Sequence, residues 1–185
     1  MYTLLILGIV DRPQYSYIAA YDMDNNRYII VRYDSGKYIL NIFDIIGCNL
    51  LDRGHFFEIR DKPVFMQQME GLDLAVYLKD IARPIGDFMS PNNVERLSMI
   101  MVDRIEDIIE DSAYHGILFT GDGATYQIKV ADDRWLQDWA GRKGLFSRGK
   151  DYIIDYMNSD DRRTYLVIYR AHLNRRPYII STHIV

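Results

Sequence analysis

Three sets of residues in this 185-residue chain have types and spacings that could do chemistry. The first is Gly121-Asp122-Gly123, inside the stretch GILFTGDGATYQIKVADDRW (116–135). A phosphate-cradling loop needs further glycines, a Lys-Ser/Thr pair or a following helix whose amino terminus faces the anion. Here alternating residues follow instead, with Tyr126, Ile128 and Val130 on one side and Gln127 and Lys129 on the other. That pattern is a strand, so GDG is expected to be the turn of a hairpin.

The second set is the aspartates Asp122, Asp132 and Asp133. Converging carboxylates bind magnesium, but adjacent aspartates ahead of a helix ordinarily cap it and oppose its dipole. No metal or other cofactor is expected. Nucleophilic chemistry has little to work with: Cys48 follows Ile45-Ile46-Gly47, an apolar run that suggests a buried, inert thiol. His55, His115, His172 and His183 are scattered along the chain. Trp135 and Trp139, one helical turn apart, read as a core face. No catalytic residue is therefore assigned. A metal-dependent nuclease using Asp122 or Asp132 is the third and last reading, since no nucleophile, base or ligand cluster stands behind it.

The third set is basic. Arg142, Lys143, Arg148 and Lys150 bracket Phe146 in the glycine-punctuated segment GRKGLFSRGK. Arg162 and Arg163 sit at an expected turn, and Arg170, Arg175 and Arg176 surround the last strand connection. Tyr165 and Tyr169, four residues apart, face the same side of one strand, either as a stacking surface or, since Val167 and Ile168 alternate with them imperfectly, as part of the core. Residues 142–185 hold 9 Lys and Arg against 4 Asp and Glu, whereas residues 1–141 hold 13 against 22. Such asymmetry can be an electrostatic footprint inside a chain of net charge −4. Small barrels bind single strands by combining a positive groove with aromatic rings on which bases stack. The alternatives are a solvated rim or a patch that matches an acidic protein partner.

The elements that must position these residues run β-rich, helical, β-rich. TLLILGI (3–9) is a continuous apolar run, and SYIAAYD and RYIIVRYD flank Met23-Asp24-Asn25-Asn26 as a hairpin. KYILNIFDIIG and HFFEIR are further strands before Lys62-Pro63. LDLAVYLKDIA (72–82) has helical spacing. In VERLSMIMVDRIEDIIED (94–111), Leu97, Ile100, Met101, Ile105, Ile108 and Ile109 fall near one helical face, which makes it the strongest expected helix. A short helix is expected over 132–140, then a hairpin of DYIIDYM and TYLVIYR around 158–161, then the closing strand YIISTHIV. With 15 Tyr against 7 Phe and 2 Trp, the composition also favours strands. The expected fold is mainly β (α+β): two small OB-like antiparallel β-barrels joined by a helical segment. The barrels would cover 1–70 and 113–185, with a helical connector at 71–112. The apolar amino terminus MYTLLILGIV is too short for a membrane span and lacks the basic flank of a secretory signal. With a single cysteine, a reducing cytoplasm is the expected compartment.

Three stretches, taken together, resemble the prokaryotic dual-OB-domain family: LLILGIV…YIAAYD…RYIIVRYD, YHGILFTGDGATYQIKVADDRW and RPYIISTHIV. Where that family carries a Cys-Val-Ala-Gly-like step and a Trp-Ile-Arg-Pro-like step, this chain has Tyr17-Ile18-Ala19-Ala20 and Ile29-Ile30-Val31-Arg32-Tyr33. The resemblance implies a nucleic-acid-binding module that works beside partner proteins in bacterial defence or mobile-element settings. It brings no catalytic residues. Non-catalytic nucleic-acid binding, with single strands favoured, is thus the functional expectation. A protein-interaction adaptor that binds no nucleic acid is the alternative.

Overall fold

The computed structural model describes residues 1–12, 15–111, 114–131, 149–171 and 176–185, the side chains of Asp111 and Tyr114 excepted. The chain forms two compact units, Met1–Ala75 and Val76–Val185.

The first unit opens with the meander β1 (Tyr2–Asp11), β2 (Ser16–Asp22) and β3 (Arg27–Tyr33). All pairings within it are antiparallel. β4 (Asp44–Cys48) returns alongside β1, and only Asn49 separates it from β5 (Leu50–Asp52). β5 pairs with β6 (Phe57–Ile59), and β6 runs parallel to β3. β4 and β5 therefore act as one strand bent at Asn49, which closes the ring β1-β2-β3-β6-β5/β4. β7 (Val64–Gln68) adds to the outer edge of β4. The barrel is filled by Leu4, Ile6, Ile9, Ile18, Ala20, Ile29, Val31, Tyr33 and Ile46. Cys48 belongs to the same core, where burial pushes its thiol pKa up to about 12, as expected of an inert cysteine.

α1 (Gly71–Ile81) spans the division between the units, and α2 (Ile85–Met89) follows it. The second barrel comprises β8 (Leu97–Met101), β9 (Arg104–Asp111), β10 (Tyr114–Gly121), β11 (Ala124–Val130), β12 (Thr164–Tyr169) and β13 (Tyr178–Ile184). β9, β10 and β11 form a meander, β13 runs parallel to β11, and β12 lies between β13 and β8. Val102 and Asp103 form the corner between β8 and β9. The Val102 N–H donates to the Thr164 carbonyl at 3.0 Å and the Asp103 N–H to the Thr120 carbonyl at 2.9 Å. One bent strand thus reaches both sides of the sheet and closes it. α3 (Gly149–Met157) precedes β12 and lays Ile153, Ile154 and Met157 against the core. Both units are OB-like, and each uses one parallel pair within an otherwise antiparallel barrel.

Three expectations are corrected. Residues 97–111 are strands, so the connector expected over 71–112 is helical only in α1 and α2. The helical spacing there arises from a β-bulge: Phe119 pairs with Ile105 and Leu118 with Asp107, leaving Glu106 as the extra residue. Ile105 and Ile108 can then both face the core three residues apart, and their β-branched side chains favour the strand. DYIIDYM is helix α3, because Ile153 and Met157 lie four apart and share a helical face. KYILNIFDIIG is strand only from Asp44 onward. The helix expected over 132–140 lies outside the described residues.

Candidate nucleic-acid interface

The GDG turn is architecture. Asp122 and Gly123 have φ of 52° and 74°, the two positive angles of a type I′ hairpin between β10 and β11. Asp122 Oδ2 accepts the Gly86 N–H at 3.0 Å. A Cβ on Gly121 would meet Ile85 Cγ2 at 3.0 Å, so the glycine lets α2 approach the hairpin. Among the described residues no group of three His, Cys, Asp or Glu side chains is placed to hold a metal. Asp132 and Asp133 lie outside them.

Of the basic set, Arg142, Lys143, Phe146, Arg148 and Arg175 lie outside the described residues. Lys150, at the start of α3, is bound by Asp107 Oδ1 at 2.6 Å, and that partner raises its pKa. Arg162 lies 4.0 Å from the ring centroid of Tyr156 and donates to Ser159 Oγ at 2.9 Å. Arg163 is exposed and donates to the carbonyls of Arg162 and Asp160 at 2.8 and 3.4 Å. Arg176 is exposed just before β13. The stacking role expected of Tyr165 is contradicted. Tyr165 is 1% exposed and has no ring face to offer a base. Tyr169 is half-buried, and its hydroxyl accepts from Arg96 Nη2 at 3.1 Å. Arg170 is also buried. It stacks on Phe88 at 4.8 Å from the ring centroid and donates to the Phe88 carbonyl at 2.9 Å, tying α2 to the end of β12. The burial of Tyr165 follows from its place: β12 is a central strand whose first five residues are all buried.

The first barrel carries a partly exposed cluster of aromatic and basic side chains. Tyr17 on β2 pairs with Arg32 on β3, and Arg32 pairs with Glu58 on β6. Their neighbours Ile18 and Val31 face the core, so Tyr17 and Arg32 project from the outer face. Tyr15 meets Tyr17 edge-on with ring centroids 5.3 Å apart, and Tyr17 meets Phe56 edge-on at 5.8 Å. The Arg32 guanidinium lies 5.5 Å from the Tyr15 centroid and 5.1 Å from that of Phe56. Glu58 accepts from Arg32 at 2.8 Å and from Arg53 at 2.9 Å. These hydrogen bonds hold the Glu58 carboxyl below its ordinary range and the Arg32 guanidinium above its own. Arg53 and Gly54 form the β5–β6 turn, where Gly54 takes φ 81° and donates its N–H to Asp52 Oδ1 at 2.7 Å. Exposed Arg12 lies in the β1–β2 connection. The second and third strands with these two loops form the face on which OB folds bind oligomeric ligands.

The alternation of Tyr15 and Tyr17 and the position of Arg32 are visible in the sequence. Phe56, Arg53 and Glu58 reach them only through the non-local β3–β6 pairing.

No family model matches the chain, and no curated protein matches it. Among solved structures, the chain is similar to a murine DNA-binding protein bound with double-stranded DNA (9% identity, 98% of this chain and 92% of that one, TM-score 0.41). It is similar also to the p204 HINb domain (8% identity, 98% and 94%, TM-score 0.39). A third is the Ifi202 HINa domain in complex with double-stranded DNA (9% identity, 99% and 93%, TM-score 0.39). Likenesses this remote carry no argument about function.

Proposed function

We propose that this chain is a non-catalytic nucleic-acid-binding module that holds a single strand on the β2–β3 face of its first barrel. The observation that carries the reading is the row Tyr17–Arg32–Glu58 with Tyr15 and Phe56 packed around it. Partly exposed rings give bases a stacking surface that is tolerant of sequence, and the rim arginines Arg12 and Arg53 supply charge for phosphates. The exposed Arg163 and Arg176 of the second barrel add to the electrostatic attraction.

The test is anisotropy of labelled single-stranded DNA, single-stranded RNA and duplex DNA between about 50 and 200 mM salt. Single strands should bind more tightly than duplex, binding should weaken with salt, and Tyr17→Ala and Phe56→Ala should each reduce it. Absence of binding to all three probes, or affinity unchanged in both variants, would overturn the reading.

A second reading, a protein-interaction adaptor, is favoured by β7. Its Val64, Phe65 and Met66 are 60%, 60% and 53% exposed on an edge strand. It predicts no salt-sensitive oligonucleotide binding, and it is the working hypothesis if the anisotropy series fails.

A further inference from the structure

The corner where β8 turns into β9 borders an open pocket of about 300 Å³ in the second barrel. Val102 and Met157 contribute apolar surface to it, and Asp103, Arg104, Arg162 and Arg163 line it with charge. We infer that this pocket is a binding site for a phosphomonoester, the group borne by a mononucleotide or by the phosphorylated end of a strand.

Three guanidinium groups and the Asp103 carboxylate line the pocket, and Glu106 and Asp161 stand at long range from two of the arginines. A phosphomonoester, which carries about −1.5 to −2 near neutral pH, can displace both long contacts. A phosphodiester or a carboxylate brings about half that charge to the same exchange. Planar guanidinium forks also suit phosphate oxygens geometrically.

The arginines are weakly engaged elsewhere. Arg104 is 67% exposed, with Glu106 3.8 Å away, and Asp161 stands 3.9 Å from Arg162. Both separations are longer than a charge-assisted hydrogen bond. Among the described residues no carboxylate lies within ion-pair distance of Arg163. Its Nη1 bonds to the carbonyls of Asp160 and Arg162 fix the group and leave its remaining N–H donors for a ligand. The stacking of Arg162 on Tyr156 likewise holds its guanidinium in place.

The obvious objection is that the pocket adjoins the carboxyl end of α3, whose carbonyls should repel an anion. Those carbonyls are occupied. The Ile154 carbonyl accepts the Asn158 N–H at 3.0 Å, that of Tyr156 the Ser159 hydroxyl at 3.0 Å, and that of Met157 the Thr164 hydroxyl at 3.1 Å. Asn158 itself is held by the backbone of Ile105, to which its Nδ2 donates and from which its Oδ1 accepts, both at 2.8 Å. Three of the last four carbonyls of α3 thus have donors.

The site stands independently of the platform on the first barrel, and its test separates the two. Calorimetric titrations of the full chain would use inorganic phosphate, adenosine 5′-monophosphate and adenosine, with 5′-phosphorylated and 5′-hydroxyl oligothymidylates run in parallel. Phosphate and the monophosphate should bind while adenosine does not. Arg104→Ala and Arg163→Ala, both at exposed side chains, should each weaken phosphate-dependent binding about tenfold, as loss of one charge-assisted bond implies. Lys79→Ala, at an exposed lysine outside both surfaces, should leave it unchanged. A 5′-phosphate gain for the oligothymidylate that disappears in Arg163→Ala identifies a strand end as the source. A gain confined to the monophosphate identifies a free nucleotide. Failure of phosphate and the monophosphate to bind, or binding that survives the Arg104→Ala/Arg163→Ala double variant, overturns the site.

Discussion

The two barrels share one connectivity and close it at different places. The first bends its fourth strand at Asn49, whereas the second bends its first strand at Val102 and Asp103. The first crosses from its third to its fourth strand without a helix, and the second inserts α3 there and fills its core from that side. The contrast teaches where chemistry can accumulate on such a scaffold. In the second barrel β12 is buried over its first five residues, so Tyr165 serves packing, and Arg104, Arg162 and Arg163 lie at the corner beside α3. In the first, Tyr17 on β2 and Tyr28, Ile30 and Arg32 on β3 stay half-exposed, and the rings of Tyr15 and Phe56 collect around Arg32.

The contrast can be broken or sharpened by substitution. The largest effect is expected at Phe119, fully buried in the second core. Phe119→Ala should cost about 3–5 kcal/mol, read as a lowered midpoint in chemical denaturation. Asn158→Ala comes next. It strips both backbone groups of Ile105 of their partner and should cost about 2–3 kcal/mol, with faster hydrogen exchange at the Ile105 amide. Tyr17→Ala should leave the fold intact and weaken single-strand binding by about 1–3 kcal/mol in anisotropy titrations. An equal loss from Tyr169→Ala and none from Tyr17→Ala would reverse the assignment of the two barrels. The smallest effect concerns pH. Glu58 has a depressed native pKa, so its contribution to stability is present above the ordinary glutamate value of about 4.3 and is lost as pH falls through the lower native value. Glu58→Gln should flatten that part of the acid-denaturation profile, and an unchanged profile would mean that the ion pairs with Arg32 and Arg53 contribute nothing.

Local patterns carried much of this fold. The alternation in β2 and β3 with its Asp-Asn turn, the GDG hairpin, the period of α1 and the closing strand β13 are all legible because each is set by residues adjacent in sequence. Bulges were not. The extra residue at Glu106 turns a strand's period of two into an apparent step of three, and the same device at Leu7 puts Ile6 and Ile9 into one core. Helix α3 was hidden because Tyr152, Ile153 and Ile154 suit a strand equally well. Its identity is decided by its packing against β9 and the second core. The platform was missed for another reason. Its net charge is small, since Glu58 offsets one of Arg32 and Arg53, so counting basic residues points to the carboxyl-terminal segment instead.

That internal balance has a consequence for the thermodynamics of any polyanion that lands on the platform. Arg32 and Arg53 already hold an anion, the carboxylate of Glu58, so a phosphate that captures either of them exchanges with a covalently tethered competitor as well as with mobile ions. The number of cations released per bound strand, read as the slope of log affinity against log salt, is set on single strands at about 0.7 per phosphate neutralised. On this face the slope should therefore fall short of the value that a count of its arginines gives, and Glu58→Gln should restore the difference.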